Sequence, residues 1–231
     1  CSAFWCFFLV PSHLYRTLQR HQPPDLLSTL FIDTSYNQTI GLLGNEGTWT
    51  ARKTLIGQKS SSILHAELHT LLLSEGKKPA DITNVLYVAG PGFYTGLRIA
   101  HGLADMLRIE GRTLRNFYNF EIPRLLGVAE YTWVTKAYRG EIFVHKCTLE
   151  SDETVLLSEK EFMARAWNGT VYIHHTSALD AVMNEKIPQA LSTEELMFDR
   201  IQEIVGAVKH TSRVRDLYYF RPPEEEFKPS L

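Results

Sequence analysis

One segment constrains the fold more than any other: a short apolar run that leads straight into a glycine-rich turn and then into a helical pattern. Residues 85–99 read VLYVAGPGFYTGLRI. An apolar run of this length next to glycines is typical of a buried strand, and apolar residues then recur at helical spacing over 95–110. A strand, a tight turn and a helix in direct succession predict an α/β protein.

Three strands joined by short turns are predicted before this unit. They lie at 26–32, 39–43 and 49–55, and the sequence GNEG at 44–47 separates the last two. The apolar period then becomes helical. The elements predicted after the meander are a helix at 63–72, the strand at 85–89, a helix at 95–110, a strand at 113–115 and a helix at 117–128.

The same order of elements begins again in the second half of the chain. It predicts strands at 131–135, 141–149 and 154–157, then a helix at 159–166, a strand at 170–174 and a helix at 194–208. A repeated order without sequence identity is what a duplicated α/β domain would give. We expect a first domain at 26–128 and a smaller second domain with a tail at 129–231. Residues 1–25 are expected to be an extension outside the fold.

Composition indicates which kinds of partner the chain binds and in which compartment of the cell it is expected. The formal net charge is −2, whereas a protein that holds RNA by itself usually has a basic surplus. Three cysteines without CxxC spacing argue against a disulfide framework and a zinc site. The apolar run at 4–10 is far shorter than the roughly 20 residues that span a bilayer. We therefore expect a cytoplasmic protein, away from membranes, with a protein or small-molecule partner.

Two features are candidates for chemistry. The glycine-rich turn places backbone amides at the start of a helix, which suits an anion or a nucleotide phosphate. Asp33, at the end of the first strand, could hold a metal-bound phosphate. The candidate residues are Asp33, Gly90, Gly92, Thr95, Gly96 and Arg98.

Each feature also has a structural interpretation. The glycines could serve only close packing, and Asp33 could form a local turn with the hydroxyls after it. The glycine spacing matches neither the dinucleotide-binding fingerprint nor a P-loop.

Four segments together resemble the TsaB family in order and spacing. They are FIDTS at 31–35, GPGFYTGLRIAHGLA at 90–104, RGEIF at 139–143 and LYYFRP at 217–222. The resemblance implies an α/β fold of the actin-like ATPase superfold, with duplicated ribonuclease H-like domains and mixed sheets. TsaB proteins are non-catalytic paralogues of TsaD, the enzyme that transfers threonylcarbamoyl to the adenosine beside the anticodon of certain transfer RNAs.

The motifs of the catalytic paralogue do not match this sequence. That family keeps a His-x-x-x-His metal site after the glycine loop, whereas His65 and His69 precede it here, and no Gly-Gly pair occurs in the chain. Lys136 also stands where the TsaB family usually has an aspartate. The resemblance therefore implies no catalytic residue, no metal and no cofactor in this chain, with ATP and magnesium only at the level of a complex.

The resemblance also implies partners for the first two helices. These are a TsaD-type transferase, or a second copy of the chain when the transferase is absent; a TsaE-type ATPase is a further expected partner, and tRNA is contacted only indirectly. The predicted interface residues are Leu64, Leu68, Leu71, Leu72, Ile99, Leu103 and Met106. These residues could instead face the domain's own sheet. The alternative function is a metal- and nucleotide-dependent transferase or kinase of the same superfold.

Overall fold

The computed structural model of the chain describes residues 28–55, 61–174, 181–210 and 214–221. Within these ranges the chain forms two mixed β-sheets of five strands each. The first sheet contains β1 (Ser28–Asp33), β2 (Gln38–Leu43), β3 (Trp49–Leu55), β4 (Ile82–Val88) and β5 (Thr113–Phe117). Its order is β3-β2-β1-β4-β5. Strand β2 is antiparallel to both neighbours, and β1, β4 and β5 are parallel.

The second sheet repeats this arrangement strand for strand. It contains β6 (Tyr131–Lys136), β7 (Ile142–Cys147), β8 (Asp152–Leu157), β9 (Val171–Ile173) and β10 (Leu191–Ser192). Read from β8, its order is β8-β7-β6-β9-β10. Strand β7 is antiparallel to both neighbours, and β6, β9 and β10 are parallel. The chain is therefore an α/β protein with the duplicated, actin-like fold.

Seven α-helices accompany the two sheets within the described ranges. They are α1 (Ser61–Ser74), α2 (Tyr94–Ile109), α3 (Ile122–Leu125), α4 (Glu159–Ala164), α5 (Ala181–Lys186), α6 (Thr193–Asp199) and α7 (Ile201–Lys209). None of them combines the length and the apolar character that a bilayer crossing needs.

Both faces of the first sheet are covered, which explains its nearly continuous apolar strands. Leu30 and Ile32 pack with residues of α1 and α2 on one face. Phe31 points the other way and packs with residues of α7. The last of the described helices, α7, therefore returns to the first sheet, and the division between 128 and 129 stays a prediction.

Most predicted elements are confirmed, with three corrections. The predicted helix at 117–128 is wrong at its start, because Phe117 closes β5 and a 3₁₀ turn at 119–121 precedes α3. The predicted helix at 194–208 is two helices, since Arg200 leaves helical geometry at φ −118° and ψ 28°. Helix α5 and strand β10 were not predicted. The proposed extension at 1–25 lies outside the described residues.

Candidate functional site

Asp33 ends β1 and is buried. Its Oδ1 accepts hydrogen bonds from the Ser35 N–H at 2.9 Å and from the Ser35 hydroxyl at 2.6 Å. This is an Asx-type turn, in which the carboxylate substitutes for a backbone acceptor. The structure therefore contains the local turn that was one interpretation of Asp33, and Oδ1 accepts the hydrogen bonds that form it.

The turn between β1 and β2 (residues 34–37, here the first turn) packs directly onto the glycine loop that follows β4. The Thr34 hydroxyl donates to the Gly96 carbonyl at 2.6 Å, and the Phe93 N–H donates to the Ser35 carbonyl at 2.9 Å. A Cβ atom at Gly92 would lie 2.6 Å from the Ser35 carbonyl oxygen, and one at Gly96 would lie 2.0 Å from the Thr34 carbonyl oxygen. The absence of side chains at Gly92 and Gly96 therefore leaves room for the backbone of the first turn.

Residues 214–221, here the C-terminal strap, cover the loop from the other side. The Tyr218 N–H donates to the Ala89 carbonyl at 2.8 Å, and Tyr219 forms a parallel bridge with Gly92. The Tyr218 carbonyl oxygen would lie 2.2 Å from a Cβ at Gly90. The strap is held in turn by Arg215, which pairs with Glu121. The space around Gly90 and Gly92 is thus filled by protein.

Thr95 and Arg98 lie at the protein surface and not inside the glycine loop. Both are exposed on the first turns of α2. Arg98 donates to the Tyr94 hydroxyl at 2.5 Å, and its guanidinium carbon lies 5.4 Å from the centre of that ring. The Tyr94 ring in turn lies 4.9 Å from the ring of Tyr219, on the strap. Of the six predicted residues, the structure brings together Asp33, Gly90, Gly92 and Gly96 and leaves Thr95 and Arg98 at the surface.

The two sheets meet where the carboxyl ends of β1 and β6 face each other, and ligands of open α/β sheets bind outside such ends. Tyr36 spans this position. Its hydroxyl lies 2.6 Å from Thr135 Oγ1 and donates to the Lys136 carbonyl at 3.3 Å. Its ring centroid lies 5.3 Å from that of His174 and 5.4 Å from that of Phe93. An aromatic ring therefore bridges the two halves in the cleft between them.

The buried Asn119 connects the first turn with the glycine loop. Asn119 is fully buried, and its Nδ2 donates to the Ser35 hydroxyl oxygen at 3.0 Å. Its N–H donates to the Gly90 carbonyl at 2.7 Å. Sequence reasoning missed Tyr36, Asn119 and Thr135, because a tyrosine, an asparagine and a threonine in these places carry no spacing signal.

A second polar cluster lies on the β7–β8 hairpin. Arg124 pairs with Asp152 at 2.5 Å and lies 2.8 Å from Cys147 Sγ. Partial burial raises the pKa of Asp152, but the hydrogen bond and charge of Arg124 outweigh this and lower it.

His145 is stacked on Phe120, with ring centroids 4.0 Å apart. Both ring nitrogens are buried and have no hydrogen-bond partner among the residues that the structure describes. Burial lowers the pKa of this imidazole, since transfer out of water disfavours its charged form.

The predicted interface residues divide into two groups. Leu64, Leu71, Leu72 and Leu103 are buried in the chain's own core, so only a rearrangement would expose them. Leu68 and Ile99 are partly buried at the edge of that core, and Met106 is 47% exposed. Two residues outside the predicted interface set are more exposed, Leu73 at 63% and Ile109 at 82%. Helices α1 and α2 therefore do present apolar side chains to solvent, but different ones from most of those predicted.

His65 and His69 are exposed on α1. His174 is buried, and its Nδ1 lies 2.9 Å from the Thr193 hydroxyl. Within the described ranges, no group of three or more histidine, cysteine, aspartate or glutamate side chains is placed to hold a metal ion.

The fold is similar to that of two solved proteins. One is described as an uncharacterized protein with similarity to peptidase YEAZ from Pseudomonas aeruginosa; the match has a TM-score of 0.57 at 18% identity and covers 83% of this chain and 99% of that one. The other is YeaZ from Pseudomonas aeruginosa, with a TM-score of 0.53 at 19% identity over 78% of this chain and 92% of that one. No family model and no curated protein matches the sequence. These likenesses show a YeaZ-like fold.

Proposed function

We propose that this chain is a non-catalytic subunit of a tRNA-modifying complex. It binds a TsaD-type transferase and supports that enzyme's active conformation, so that threonylcarbamoyl is transferred to the adenosine beside the anticodon. A second copy occupies the same surface when the transferase is absent, a TsaE-type ATPase joins the assembly, and the chain contacts tRNA only indirectly.

The observation that best supports the proposal is that the chain's own residues fill both the glycine loop and the cleft between the two sheets. The first turn and the C-terminal strap fill the glycine loop, with a Tyr218 N–H to Ala89 carbonyl distance of 2.8 Å. Tyr36 bridges the two halves where a nucleotide would lie in an open α/β cleft. A chain that fills its own ligand position with backbone and aromatic side chains is better suited to binding a protein than to phosphoryl chemistry.

The exposed apolar residues of α1 and α2 are the proposed contact surface, here the helix patch. It consists of Leu73, Met106 and Ile109, with Leu68 and Ile99 at its edge. Both helices cover the same face of the first sheet, and exposed apolar patches are characteristic of protein-binding surfaces. The sequence resemblance supports the choice of a TsaD-type partner, and the YeaZ-like fold is consistent with it.

The test is co-purification with a TsaD-type transferase, followed by a tRNA modification assay. The double variant Met106→Glu with Ile109→Glu is expected to abolish the complex and to reduce modification strongly, because two charges would be desolvated at the contact. Leu149→Glu is the matched control: Leu149 is 78% exposed but lies on the β7–β8 hairpin, so the complex should persist. Full modification by the transferase in the absence of this chain would contradict the proposal.

Calorimetry separates this function from the enzymatic alternative. The isolated chain is expected to bind no ATP in the presence of magnesium. Saturable binding that is lost in Asp33→Asn would favour a nucleotide-dependent transferase or kinase instead.

A further inference from the structure

A small cavity lies at the end of the first sheet that is opposite the glycine loop. Its volume is about 60 Å³. The polar part of its lining comes from Thr29, Asn84, Arg115 and Lys209, and the apolar part includes Leu86 and Val208. Thr29 and Asn84 are neighbours across the β1–β4 pair, and Leu86 and Arg115 are neighbours across the β4–β5 pair. The sheet itself therefore fixes three of the four polar side chains.

The Nε atom of Arg115 has no acceptor among the described residues. It is buried and forms no hydrogen bond within the described part of the chain. Arg115 as a whole is half-buried, but its Nε–H is a donor that water does not reach. Burial of such a donor without an acceptor is strongly unfavourable. An acceptor from outside the chain would remove this cost.

The charge and size of the cavity specify that acceptor. Of the described residues that line it, two are cationic, Arg115 and Lys209, and none is acidic. A cavity needs only about 10–15 Å³ to hold one water molecule, so this one has room for a small group such as a phosphate. Lys209 is exposed, which places a positive charge where the cavity meets solvent.

We propose that this cavity is a binding site for a single small oxyanion, a phosphate or a carboxylate group. The Arg115 Nε–H donates to one oxygen, and Lys209 supplies the second positive charge. The Thr29 hydroxyl is a further donor. Asn84 already donates to the Thr83 hydroxyl at 3.1 Å and keeps its second amide N–H for the anion. The site is separate from the helix patch proposed above, because Leu86, Val205 and Val208 of its lining lie on the face of the first sheet that α7 covers, whereas α1 and α2 cover the other face.

The test is NMR spectroscopy of the arginine Nε–Hε groups in the full chain. Inorganic phosphate and sulfate are titrated against sodium chloride at matched ionic strength, and Arg115→Lys assigns the signal by removing it. The Arg115 signal is expected to move saturably with phosphate or sulfate. Arg115→Gln should weaken phosphate binding at least about tenfold, and Lys209→Gln about two- to fivefold.

Arg108→Gln is the matched control, because Arg108 is exposed on α2 and pairs with Asp105; phosphate affinity should be unchanged. A nucleoside monophosphate distinguishes free phosphate from a phosphate carried by a larger molecule, and saturation by either probe supports the site. An Arg115 signal that follows ionic strength alone, with all of these probes, would overturn the proposal. The wild-type titration and the exposed Lys209 variant keep the test decisive even if Arg115→Gln does not fold.

Discussion

The packing of the first turn on the glycine loop can be tested with one substitution at two places on the same helix. Gly96 and Gly102 both lie in α2. A Cβ at Gly96 would lie 2.0 Å from the Thr34 carbonyl oxygen, whereas a Cβ at Gly102 would meet no described residue within 4 Å outside the backbone of its own helix. Gly96→Ala and Gly102→Ala therefore add the same methyl group to opposite environments.

The magnitudes follow from the contacts. At Gly96 the first turn must move away, and the hydrogen bonds from the Thr34 hydroxyl and the Phe93 N–H are strained or lost. Each contributes about 1 kcal/mol, and overpacking costs roughly 1–3 kcal/mol more. Alanine recovers about 1 kcal/mol of helix propensity. Gly96→Ala should therefore lower the free energy of unfolding by about 2–4 kcal/mol, whereas Gly102→Ala should raise it by about 0.5–1 kcal/mol.

Urea unfolding of the two variants and the wild type, followed by circular dichroism, gives the comparison. With a common slope m, the midpoints should move in opposite directions. If Gly96→Ala is as stable as Gly102→Ala, the first turn does not rest on the loop as described. The loop would then be open to a ligand, and the argument for a filled cleft would fail.

Three further predictions concern the polar groups. Tyr36→Phe should lower the free energy of unfolding by about 1 kcal/mol, because it removes the hydroxyl that bridges to Thr135 and Lys136; an unchanged urea midpoint would contradict the bridge. Stability should fall as pH drops below about 6.5, because the unfolded chain binds a proton at His145 that burial withholds in the folded state. A loss of the same size in His145→Leu would refute that origin. Asp152→Asn should cost less than about 1 kcal/mol above pH 5, because its ion pair is largely exposed, and the difference should vanish as pH falls below the ordinary carboxyl range, since the pKa of Asp152 is lowered in the folded state; thermal melts at pH 7 and pH 3 check this.

Sequence patterns predicted the elements whose periodicity is strong. The buried strand at 85–89, the glycine turn and the helix after it were predicted and lie in β4 and α2. The predicted helix across Phe117 failed because a buried aromatic side chain packs as well in an edge strand as in a helix. The break at Arg200 was missed because apolar spacing continues on both sides of it.

The sequence by itself determined the α/β class, the duplicated order of elements and the position of the glycine loop, because strand and helix periods and turn residues are local properties. Only the tertiary structure decided what the loop and the helices do. Gly96 contacts Thr34, 62 residues away, and Tyr36 contacts Thr135, 99 residues away. It also decided that Leu64 is core while Ile109 is surface. Whether such a residue is buried or exposed depends on which distant segments pack against it after folding. Local sequence patterns do not show this.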